Sequence, residues 1–157
     1  MAFRLVGSGG DVTDFAGINL YASGTIRSNM VVDFIHGNNT VTPASSSSTV
    51  TTVFGMALQF AEGASDTQVR VVPFTPGQIW EADGVNLPGT IQIGFKHALY
   101  GSNSQLINNT SYDQSGATGV FFCLGIAGST TAGSARLLGF FIPANNVPFA
   151  KNSSTWV

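Results

Sequence analysis

Two-residue alternation, cut repeatedly by turn residues, is the feature that most limits what this chain can become. It is clearest within residues 50–100. Val69 and Val71, and further on Ile91, Ile93 and Phe95, are apolar on one parity, while Gln68, Arg70, Gln92 and Lys96 are polar on the other. A period of two gives a strand one buried and one wetted face, the pattern of an antiparallel sheet. Pro76-Gly77 and Asp83-Gly84 read as turns, since they supply a preset φ or a residue that tolerates positive φ. Pro73 lacks an N–H, which places its strand at an edge or at its end. No long window keeps i, i+3, i+4 apolar spacing free of Gly, Pro or β-branched residues, so no helix is predicted.

The remaining strands follow the same logic. They are expected at residues 18–21, 26–36, 51–60, 67–74, 78–82, 89–97, 119–127 and 136–142. The run from Gly119 to Ala127 is continuously apolar and is expected to be buried on both faces. Residues 43–48, with four consecutive serines, read as a loose polar surface loop. Residues 102–118 read as a long loop with room for a short strand. Residues 1–16 carry Gly7-Ser8-Gly9-Gly10 and read as a flexible N-terminal arm, with residues 17–157 forming a single β domain. The expected architecture is all-β: a small antiparallel β-barrel or sandwich, tulip-like, with that arm attached.

Charge narrows the function classes. Only 9% of the residues are charged, against about 25% in an ordinary soluble domain. Ser, Thr, Asn, Gln and Gly must then supply solubility, and such a surface is suited to being covered by neighbours. The six Lys and Arg are scattered and form no phosphate-binding footprint, so direct nucleic-acid binding is not expected. No apolar run reaches the length of a membrane span. Met1 to Val6 meets glycine at once, so no signal-peptide core forms there. With Cys123 as its one cysteine, the chain is expected to fold in a reducing cytoplasm without disulfides.

Residues that could carry chemistry have blander readings. Cys123 lies within Phe121-Phe122-Cys123-Leu124 and reads as a buried structural thiol. His36 and His97 lack ligand spacing and read as sheet-surface residues. Asp33 and His36 would point to opposite faces of a strand. Glu81 and Asp83 share a parity, as a glycosidase carboxylate pair could, but Asp83 precedes Gly84 in an expected turn. No phosphate-loop, dinucleotide or nucleophile-elbow motif is present. No cofactor, metal site or catalytic residue is expected, and the chain does not read as an enzyme. Trp80 reads as packed. Trp156 reads as an intermolecular contact.

One stretch resembles the head-decoration, or capsid cement, proteins of tailed bacteriophages. The resemblance is carried by Gly55-Met56-Ala57-Leu58-Gln59-Phe60-Ala61, the strand from Gln68 to Val72, and Pro76-Gly77-Gln78-Ile79-Trp80. The apolar strands at 119–127 and 136–142 suit the same barrel, so the likeness spans about half the chain. It implies a homotrimer on the outer capsid surface, made in the host cytoplasm and clamping neighbouring major capsid protein subunits, with no nucleic-acid or membrane partner. The capsid or trimer contacts would be Phe3, Arg4 and Leu5 of the arm, with Phe149 and Trp156 of the tail. Two other readings stay open: another virion subunit, of the tail tube or minor capsid, or a carbohydrate-binding fibre module.

Overall fold

The structure, a computed structural model, describes residues 3–7, 17–35, 37–63, 67–75, 77–85, 92–101, 106–112, 118–127 and 136–142. Eleven strands make up the described regular structure: β1 (Phe3–Gly7), β2 (Ile18–Ala22), β3 (Val31–Ile35), β4 (Thr40–Pro43), β5 (Val53–Ala57), β6 (Gln68–Pro73), β7 (Ile79–Val85), β8 (Lys96–Leu99), β9 (Ile107–Tyr112), β10 (Phe121–Ala127) and β11 (Arg136–Phe141). The all-β expectation holds, and the architecture is a pair of barrels. Strands β2-β4-β3-β5-β6 close one barrel. Strands β7-β11-β10-β8-β9 form the second, closed where β9 returns to β7 at Gly84↔Ile107 and Val85↔Asn108.

The two barrels share one plan. In each, the first strand pairs in parallel with the third, and every other pairing is antiparallel. The registers also correspond. Ala22↔Val41 matches Gly84↔Ile107, Leu20↔Val69 matches Ala82↔Leu137, and Ile18↔Val71 matches Trp80↔Gly139. Val32↔Gly55 matches His97↔Phe121, and Ala57↔Val71 matches Cys123↔Gly139. Bonds outside the ladders repeat as well: Ala57 N–H to Met30 O at 2.8 Å has its counterpart in Cys123 N–H to Phe95 O at 3.0 Å. At the equivalent turns, Asn29 (φ 65°) and Gly94 (φ 81°) both take the left-handed conformation. The chain is an internal structural repeat.

Packing shows how different side chains satisfy one plan. The first barrel encloses Leu20, Ala22, Val32, Val41, Phe54, Ala57, Val69 and Val71. In the first barrel Gly55 leaves space that Val71 fills: a Cβ there would stand 2.8 Å from Val71 Cγ1. In the second the roles reverse, and a Cβ on Gly139 would stand 2.7 Å from the Phe121 ring. On β5 a register shift opposite Val32 and Asp33 sets Val53 and Met56, three residues apart, on the same outer face, in the cluster that holds Trp80, Leu99, Phe121 and Leu137. That is why all five β5 residues are buried.

Several expectations need correction. Residues 3–7 are not an arm: they add to β7 in the register Phe3↔Ala82, Arg4↔Glu81, Leu5↔Trp80, and Phe3 is 1% exposed. A strand that buries a phenylalanine gains far more than a solvated arm can. Residues 8–16 lie outside the described residues. Asp83-Gly84 is no turn, because both residues continue β7 between β11 and β9. The strand expected at 89–97 is shifted to β8, and Ile93 is exposed in a turn. The serine segment is not loose. Residues 45–48 and 49–52 form two successive turns of one design, each closed by a 3.0 Å bond from the fourth N–H to the first carbonyl. In each the first N–H also donates to the fourth side-chain hydroxyl, at 2.7 and 3.0 Å. Strand β10 is not buried on both faces, since Leu124 is exposed.

Truncating Phe3 tests the corrected N-terminus. Phe3→Ala is expected to lower unfolding free energy by about 3–5 kcal/mol in a denaturant titration. A loss below about 1 kcal/mol would restore the arm reading.

Candidate functional site

Four of the few charged residues converge on the outer face of β1, β7 and β11. The strand registers put them there: Arg4 lies across from Glu81, and Arg136 across from Asp83. The Arg4 guanidinium donates to Glu81 Oε2 through Nε at 2.9 Å and also through Nη2. Arg136 Nη1 donates to Glu81 Oε1 at 3.0 Å, and its Nε lies 3.4 Å from Asp83 Oδ1. These four residues line a shallow cleft of about 230 Å³. Hydrogen bonds from Arg136 and then Arg4 hold the Glu81 carboxyl below its ordinary range. Both Glu81 carboxylate oxygens are taken up by the two arginines, and the Asp83 carboxylate lies beside Arg136. The cluster fastens β1 and β11 to β7.

The other chemical candidates are structural. Cys123 is buried, its thiol pushed up in pKa by burial, and its Sγ–H points to Gly125 O at 3.4 Å. This agrees with the inert reading. His97 is fully buried rather than on a sheet surface, with Nε2 at 2.8 Å from Gln92 O and Nδ1 at 3.4 Å from Asn108 O. His36 lies outside the described residues. Among the described residues no three His, Cys, Asp or Glu side chains are grouped to hold a metal ion. Asp33 is half-buried and accepts from Ser48 Oγ, while its Oδ1 has no hydrogen-bond partner. Burial raises its pKa.

The expected contact residues separate. Phe3 is interior, and Leu5 packs half-buried against the same core, so neither offers a docking surface. Arg4 is 59% exposed but engaged with Glu81. Phe149 and Trp156 lie outside the described residues. What the sequence reading missed is a matched pair of leucines. Leu58 and Leu124 follow the equivalent residues Ala57 and Cys123, and they are 44% and 45% exposed. Leu124 follows inward Cys123 on β10, so ordinary two-residue alternation turns it outward, as it does Leu58 after inward Ala57. Phe60, 54% exposed, extends the apolar surface beside Leu58. An apolar run such as Phe121-Phe122-Cys123-Leu124 gives no sign of which parity faces outward.

The two perturbed carboxyls make opposite contributions to stability against pH. Glu81, lowered when folded, stabilises above its ordinary value of 4.5, and that contribution is lost as pH falls through its folded pKa. Asp33, raised when folded, binds its proton more tightly in the native state, so its penalty appears as pH rises above 3.8 and persists at neutrality. Asp33→Asn should therefore stabilise by about 1 kcal/mol at pH 7 and give no gain at pH 3, whereas Glu81→Gln should destabilise at pH 7. Urea midpoints between pH 3 and 7 check both signs.

Comparison with protein-family models and with curated proteins finds no match for this chain, so its reading rests on its own geometry.

Proposed function

We propose that this chain is a virion structural protein, a capsid decoration protein that binds the outer shell and stabilises contacts between major capsid subunits. The observation that carries this reading is the twin display of Leu58 and Leu124 from equivalent points of two barrels. Exposed leucine on a surface with so little charge is interface chemistry, because its burial against a partner releases ordered water and demands little desolvation of ions. The repeat supplies two such points per chain. A homotrimer would supply six, and simultaneous engagement multiplies weak contacts. Among the described residues Glu81, Cys123 and His97 are each held by bonds within the fold, which fits the same reading. The contact role passes from Phe3 and Leu5, which the core uses, to these leucines.

The test pairs solution mass with co-sedimentation on undecorated shells of the virus that encodes the chain. A persistent trimer that saturates shells supports the proposal. Leu58→Asp with Leu124→Asp should weaken shell binding about tenfold or more while changing stability by less than about 0.5 kcal/mol. Undiminished binding by the double variant overturns the assignment of these leucines. Open-ended polymers would identify a tube or shell subunit, and glycan affinity without shell binding a fibre module; either result overturns the decoration reading.

A further inference from the structure

The edge of β7 that receives β1 has a counterpart on β2, and no described strand covers it. β4 pairs with β2 only at Tyr21 and Ala22, just as β9 pairs with β7 only at Gly84 and Val85. Ahead of that point β7 takes β1 along residues 79–82. The equivalent stretch of β2 is residues 17–20, whose other edge is held by β6. The ladder fixes where its polar groups point. Ala22 N–H donates toward β6, to Thr67 O at 2.8 Å, and Tyr21 N–H donates the opposite way, to Asn39 O at 2.9 Å. By alternation, the N–H and C=O of Asn19 face the uncovered edge.

A cation lies beside the same stretch. Arg70 lies on β6 directly across from Asn19, and it is exposed. Its side chain runs over Gly17, where a Cβ would stand 2.5 Å from Arg70 Cγ and 2.9 Å from its Nε. Glycine at this position leaves room for the Arg70 side chain to lie across the start of β2. Among the described residues Arg70 makes no ion pair. The second barrel has the opposite arrangement: the edge strand carries the acid Glu81, and the added strand brings the base Arg4.

We propose that residues 17–20 of β2 form a strand-addition site for an extended segment of a partner protein with the pattern apolar–acidic–apolar. Its register copies β1 on β7. Two apolar side chains take the places of Phe3 and Leu5, against Leu20 and Ile18. The acidic residue lies across from Asn19, within reach of Arg70. Main-chain bonds to Asn19 give affinity, and the carboxylate gives selectivity. The β1 strand of a second copy is excluded by charge, because it would set Arg4 beside Arg70. The site stands on the edge geometry of β2 and on Arg70 across from it, whether or not the partner is a capsid subunit.

The experiment uses the full chain labelled with ¹⁵N and two acetylated peptides, Ala-Phe-Glu-Leu-Val-Gly and Ala-Phe-Arg-Leu-Val-Gly. The acidic peptide is expected to shift the Asn19 amide and protect it from hydrogen exchange. The basic peptide should bind about fivefold more weakly. Arg70→Glu should reverse that preference. Asn19→Pro should abolish binding of both peptides, since it removes an outward N–H that the β6 ladder does not use. Three results would overturn the proposal. They are no response at Asn19 under saturating acidic peptide, slow Asn19 exchange in the free chain, and a peptide preference that Arg70→Glu leaves unchanged. Self-association that Asn19→Pro removes would put a second copy on the edge, and would overturn the stated partner.

Discussion

Phe141 is the contact on which the rest of the molecule depends. Its ring stacks on Phe74 at 4.0 Å, meets Phe3 at 5.5 Å and Phe121 at 5.2 Å, and faces the edge of Trp80 at 6.2 Å. These partners come from the chain's first strand, the link between the barrels, β10 and β7. Each aromatic pair adds about 0.5–1.5 kcal/mol beyond the area it buries. Phe74 follows the last strand of the first barrel directly, so this stack fastens one barrel to the other at their covalent junction. Buried Gln78 secures the junction's polar groups: its Oε1 accepts from Thr75 N–H at 3.1 Å and from Trp80 Nε1 at 3.4 Å, and its Nε2 donates to Pro73 O. A buried amide with these bonds carries no desolvation debt.

Strands with one clean wet face were readable from the residues alone. Gln68 to Pro73 and Arg136 to Phe141 alternate as β6 and β11 do. The misses have physical causes. β1 is five residues long and ends at Gly7, beside further glycine, so it resembles an arm until β7 is placed next to it. β4 is four residues ending in proline, a length at which period two cannot be distinguished from a turn. Asp83-Gly84 carries turn residues, but Arg136 and the returning β9 hold it extended. Tertiary pairing overrides local preference at such points.

The repeat was invisible for a different reason. Equivalent positions keep the direction in which a side chain points, not its identity. Leu20 corresponds to Ala82, Ile18 to Trp80, and Ala57 to Cys123. Volume lost at one position returns at its neighbour, as the exchange between Gly55 with Val71 and Phe121 with Gly139 shows. A core is specified by filled volume and patterning, and these survive complete replacement of the letters. Leu58 and Leu124 match in both residue and exposure, and no buried volume explains that match. The candidate surface was legible only after the barrels had been aligned.

The paired strand edges bear on the order in which the chain is made. β1 is synthesised before β2, yet its partner β7 follows only after the entire first barrel. At about 5–20 residues per second that interval lasts seconds, while a hairpin forms in microseconds. Throughout it, β2 offers the nascent strand an edge of matching register. Pairing there would bring Arg4 against Arg70, whereas waiting brings it against Glu81. Glu81 on β7 and Arg70 on β6 thus weight the choice by charge in one direction, past the barrel the first strand meets first and into the barrel it completes.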